Sequence, residues 1–63
     1  MKYLFVLTFL LSDGYSEKYQ TITYRSILNE MKVSEINGLF DKFKKEGYKS
    51  IILMNSLRVI DDE

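Results

Sequence analysis

The chain has 63 residues, nine basic and nine acidic side chains, zero net charge at pH 7, and neither histidine nor cysteine. Disulfides, thiolate or imidazole metal sites, and the usual general base and thiol nucleophile are thereby excluded. A neutral chain also lacks the basic footprint that supplies most nucleic-acid affinity.

Chains below about 70–80 residues rarely build a core worth more than about 3–5 kcal/mol, so residues 1–63 read as one domain in need of a staple. With disulfides and zinc excluded, the staple left is a partner subunit. A hydrophobic content of 46%, with five tyrosines and four phenylalanines, fits that need. A homodimer is the expectation.

Residues 1–11 place one lysine ahead of an apolar run, much as a secretory signal does. The following Ser12, Asp13, Gly14, Tyr15 and Ser16 offer no small-x-small cleavage site. The run is also too short to cross a bilayer as a helix, so no membrane partner is expected. It reads as a strand buried on both faces. Tyr3, Phe5, Leu7, Phe9 and Leu11 share one face, and Leu4, Val6 and Leu10 share the other with Thr8.

Residues 12–17 form a turn cluster in which Asp13-Gly14 is the strongest signal. Residues 18–25, rich in β-branched and aromatic side chains, read as the return strand of a hairpin. Tyr19, Thr21 and Thr23 would share one face, and Gln20, Ile22 and Tyr24 the other. Residues 26–33 read either as a helical turn capped by Ser26 or as an irregular connection pinned by Ile27, Leu28 and Met31.

Residues 34–48 carry the clearest helix pattern. Ile36, Leu39, Phe40 and Phe43 recur at i, i+3, i+4 and i+7, which puts them on one stripe. Ser34 is the expected N-cap, and Glu35 sits near the positive end of the helix dipole. Lys42, Lys44 and Lys45 match the negative end, and Gly47 suits the left-handed stop. Gly38 is dissonant, costing about 1 kcal/mol against alanine. It is either a tolerated glycine or a point where another backbone comes close.

Residues 48–60 form the last apolar run. They read as one strand in preference to two short ones turning at Asn55-Ser56. The acidic residues 61–63 read as a solvated tail. The expected fold is therefore α+β: an antiparallel three-stranded sheet in strand–strand–helix–strand order, with one helix on one face. The uncovered face would leave an apolar patch of the kind that marks an interface.

For chemistry, Glu30, Glu35, Asp41 and Glu46 fall on solvated helix positions, and the three glycines are isolated, so no phosphate loop is present. The chain is not expected to be an enzyme or to need a cofactor. Lys18, Tyr19, Tyr24 and Arg25 interleave charge with rings, but a single-strand platform needs a positive groove as well. Protein binding is what remains, and tyrosine is favoured at hot spots.

Residues 31–40, Met-Lys-Val-Ser-Glu-Ile-Asn-Gly-Leu-Phe, resemble the helix start of the small uracil-DNA glycosylase inhibitors of some Bacillus phages. The family pattern is apolar-Ser-apolar-Ser-acid-aromatic-acid-apolar-Leu-Tyr. The chain is similar to it at Val33, Ser34, Glu35 and Leu39, with Phe40 in place of tyrosine. It departs at Ile36, where the family has an aromatic, and at Asn37, where it has glutamate. The resemblance implies a homodimeric DNA mimic acting in the cytoplasm of a host cell and blocking uracil-DNA glycosylase. Glu35, Ile36, Asn37 and Phe40 would be its partner-binding residues, and an apolar loop of the enzyme would insert among them. Rival expectations are an anti-CRISPR or other anti-defence inhibitor, a weak nucleic-acid-binding accessory protein, and a structural dimer without an enzyme target.

Overall fold

In the computed structural model, which describes residues 2–61, the chain runs β1 (Lys2–Ser12), β2 (Glu17–Ser26), α1 (Val33–Lys45) and β3 (Ser50–Asp61). The strands form one antiparallel sheet in the order β2-β1-β3, so β1 is central and both other strands are edges. This is the expected α+β arrangement, with α1 against one face. Asp61, expected to begin a solvated tail, instead ends β3 and pairs with Lys2, and residues 62–63 lie outside the described residues. No helix among the described residues is long and apolar enough to cross a membrane.

The hairpin turn is held by one carboxylate. Asp13 Oδ1 accepts from the N–H groups of Tyr15 (2.8 Å) and Ser16 (2.9 Å), while Gly14 takes φ +97°. That angle is strained for any residue with a Cβ, which is why glycine stands there. The backbone hydrogen bonds to Ser16 and then to Tyr15 hold the Asp13 carboxyl below its ordinary range.

Alternation along β1 decides what is buried. Phe5, Leu7, Phe9 and Leu11 face α1 and are buried, while Leu4, Val6, Thr8 and Leu10 face the other way and are only half-buried. Strand β1 is thus buried on one face and not on both as expected, because the single helix covers one face. Leu7, Phe9 and Leu11 join Phe43 of α1 in the fully enclosed core, with Ile22, Leu39, Phe40, Ile51 and Leu53 packed around them. Phe9 meets Phe40 edge-on at 5.7 Å and Phe43 at 5.1 Å. Both are separations at which ring pairs add about 0.5–1.5 kcal/mol beyond burial.

The helix starts two residues earlier than Ser34 as N-cap predicts. Lys32 is the N-cap residue, and Ser34 lies within the first turn. Glu35 folds back so that its Oε2 accepts from the Lys32 N–H at 3.4 Å, half of a capping box. The expected serine cap is thus absent, and the carboxylate at the third helical position satisfies the amide of the N-cap residue itself.

The helix end follows expectation. Gly47 has φ +102° and donates to Lys44 O, and Tyr48 donates to Phe43 O. These bonds form a Schellman pair. The Tyr48 ring closes it by lying 6.2 Å from Phe43.

Residues 27–32 are irregular, so the helical alternative does not hold. Of the three expected anchors only Met31 packs on the core; Ile27 is 76% and Leu28 47% exposed. Ser26 Oγ accepts from the Leu28 N–H at 3.0 Å, so Ser26 serves as a local turn former.

The last run is one strand, as preferred, but it contains a bulge. Pairing passes from Phe9–Leu53 to Thr8–Asn55, leaving Met54 as the extra residue. Such an insertion exchanges the faces of everything beyond it. Ile51 and Leu53 therefore sit on the helix side, whereas Leu57 and Val59 sit on the open side.

Candidate protein-binding site

The helix covers only part of its face of the sheet. Strand β1 has eleven residues and α1 thirteen, and a residue advances about 3.3 Å in a strand but about 1.5 Å in a helix. Phe9 is roofed by Phe40 and Phe43, while Phe5 and Leu7, themselves buried, line a space beside the first turns of α1. A cavity of about 420 Å³ opens there. Phe5, Leu7, Met31 and Ile36 supply its apolar walls, and Asn29, Glu30, Ser56 and Arg58 its polar ones.

Two long-range hydrogen bonds shape this end. Arg58 Nη1 donates to the carbonyl oxygen of Asn29 at 2.6 Å, tying β3 to the irregular segment. Tyr24 Oη donates to Glu35 Oε1 at 3.3 Å, tying β2 to the first turn of α1. The negative charge of Glu35 beside the phenol, followed by desolvation, pushes the Tyr24 hydroxyl above its ordinary pKa.

The four residues singled out by the family resemblance have different surroundings. Ile36 is half-buried and lines the cavity. Phe40 packs in the helix–sheet layer against Phe9, as a core residue does. Asn37 is exposed, and Glu35 is occupied by Tyr24 and the Lys32 amide. Ile36 is thus the member of the set that lines the cavity.

The residues considered for stacking nucleic acid are divided by the sheet. Tyr19 pairs with Leu10 and Arg25 with Leu4 on the open face, whereas Tyr24 pairs with Phe5 and Lys18 with Leu11 on the helix face. Lys18 Nζ lies 5.3 Å from the centre of the Tyr48 ring, and a hydrogen bond with Tyr48 raises its pKa. No single row of rings and cations results. Gly38 has no atom within 4 Å of where a Cβ would stand, so nothing within the chain requires glycine there.

Sequence reasoning found Ile36 through its helical stripe but missed Met31, Asn29 and Arg58 as neighbours of one cavity. Twenty-nine positions separate Asn29 from Arg58, and their bond depends on the β3 bulge bringing Arg58 to the helix side. Comparison with protein-family models, with curated proteins and with solved structures finds no match to this chain.

Proposed function

We propose that this protein is a small inhibitor that blocks a host enzyme by protein–protein contact, with uracil-DNA glycosylase as the candidate target. The observation that carries the reading is the open cavity walled by Phe5, Leu7, Met31 and Ile36 at the start of α1. Its volume of about 420 Å³ and its apolar walls suit an inserted side chain of a partner, with Glu30 and Arg58 at its polar side. The helix start that forms one wall is the stretch that resembles the glycosylase inhibitors, which supplies the candidate enzyme.

The test is a uracil-excision assay with a bacterial uracil-DNA glycosylase, titrating in the protein. Loss of excision near equimolar inhibitor supports the reading, and unchanged excision at large excess discards that target. Ile36→Asp should abolish inhibition while circular dichroism shows the helix retained, because Ile36 is only half-buried. Unfolding of that variant would instead make Ile36 a residue of the core.

A further inference from the structure

The face of the sheet turned away from α1 can be read row by row from the strand register. One row is Leu10 with Ile52 and Tyr19, and the next is Thr8 with Asn55 and Thr21. Val6 with Leu57 and Thr23 follows, then Leu4 with Val59 and Arg25. Beyond Leu10 the face ends on Ser12 with Ser50 and Glu17, so along the strands it runs polar, apolar, polar and apolar. Across the strands it is apolar on β1 and β3 and mainly polar on β2. Ile52, Leu57 and Val59 are 48%, 52% and 47% exposed.

We propose that a second copy of the chain covers this face, stacked with its strands antiparallel, the two-fold axis running along the Thr21–Thr8–Asn55 row. This gives a geometry to the homodimer expected from the chain's size, and it is independent of which enzyme the protein blocks.

Three observations select this arrangement. The first is area. Three strands about 4.8 Å apart, the central one eleven residues long at about 3.3 Å each, give the face roughly 500 Å², so two copies together cover about 1,000 Å², the size from which a biological interface begins. The second is the lateral asymmetry. An axis along the strands would lay Ile52, Leu57 and Val59 over Tyr19, Thr23 and Arg25, apolar on polar. An axis across the strands lays β3 over β3 and β2 over β2, with Leu10 and Ile52 over Val6 and Leu57 and with Glu17 over Arg25. Ser12 and Ser50 then meet Leu4 and Val59 only at the two ends of the stack.

The third is the polar row. With the axis along it, Thr21, Thr8 and Asn55 each face their own copy. Thr8 Oγ1 and Thr21 Oγ1 already share a hydrogen bond of 3.3 Å within the protomer. The Asn55 amide, both donor and acceptor, can pair with its symmetry mate. A slip by one row would set Asn55 against Leu57 or Ile52 and leave the amide unpaired in an apolar setting. Buried asparagines fix register in coiled coils for the same reason.

The chain has no native cysteine, so single-cysteine variants of the full protein report the geometry directly. Sedimentation should give a dimeric mass at micromolar concentration. Asn55→Cys and Thr21→Cys should each cross-link to their own copy with a short bis-maleimide, and Val59→Cys should not. Leu57→Glu should halve the mass with the circular dichroism spectrum retained, since Leu57 lies outside the protomer's core.

A monomeric mass for the unmodified protein would overturn the proposal and assign the face to a different partner. Cross-linking at Asn55→Cys but not at Thr21→Cys would overturn it in favour of edge pairing through β3. Cross-linking at neither, in a dimer that persists, would point to the axis along the strands. None of these outcomes depends on the uracil-excision result, so the two readings fail separately.

Discussion

The phenol of Tyr24 donates to Glu35 Oε1 across 3.3 Å, joining an edge strand to the first turn of the only helix among the described residues. The same carboxylate receives the Lys32 amide through its other oxygen. One glutamate therefore caps the helix and docks it on β2.

Loss of the Tyr24 proton should weaken this link. The nearby Glu35 charge raises the folded-state pKa of Tyr24 above 10.0. A raised pKa contributes stability that is fully present below the unfolded value and lost as pH rises through the folded one. A tyrosinate absorbance titration should lose a high-pH component in Tyr24→Phe, and Glu35→Gln should move that component to lower pH. A titration unchanged by Glu35→Gln would contradict the contact.

Asp13 predicts the opposite sign at the acid end. Its carboxyl is held below 3.8 by accepting backbone N–H groups of the turn. That contribution is present above the unfolded pKa and is lost as pH falls through the lower folded value. Amide exchange at Tyr15 and Ser16 should quicken through that acid window, and Asp13→Ala should show the quick exchange at neutral pH. Equal protection in both proteins at neutral pH would remove Asp13 from its role.

The two helix-associated glycines should respond in opposite directions to alanine. A Cβ at Gly38 meets nothing and the residue is helical, so Gly38→Ala should stabilise by about 0.5–1 kcal/mol. Gly47 holds φ +102°, so Gly47→Ala should destabilise by about 1 kcal/mol or more. Denaturant midpoints read both. A loss at Gly38→Ala without a change in fold would indicate that a second chain approaches the helix there.

What was legible in the sequence was periodic. The i, i+3, i+4, i+7 stripe of Ile36, Leu39, Phe40 and Phe43 turns to the sheet as its pattern predicts, whereas β1, apolar at both parities, did not reveal which of its two faces the helix would cover. Ser34 failed as the helix start because a local cap signal competes with tertiary contacts. The helix begins where Glu35 can serve both Lys32 and Tyr24, and the second partner is eleven positions away. The cavity was illegible for the same reason, since its wall needs Met31 to fold under an irregular segment and Arg58 to reach Asn29. The bulge left no trace because β3 carries apolar residues on both faces, so no alternation was there to be broken.

That bulge makes the final prediction. Met54 is the extra residue between the Phe9–Leu53 and Thr8–Asn55 pairs. Deleting it would join Leu53 directly to Asn55, the spacing of a regular ladder, with Leu53 still facing α1 and Asn55 still facing away. Every pair on either side would keep its partner. The deletion should therefore fold, with a stability change within about 1 kcal/mol, since bulge formation itself disrupts the ladder locally. Inserting one alanine between Leu57 and Arg58 should do the reverse. It would turn Arg58 to the open face, break its bond to Asn29 and shift the rest of β3 out of register. Circular dichroism with a denaturant midpoint compares the two variants. If the Met54 deletion unfolds while the insertion is tolerated, the pairing of β3 with β1 is not the one described, and the row order of the open face falls with it.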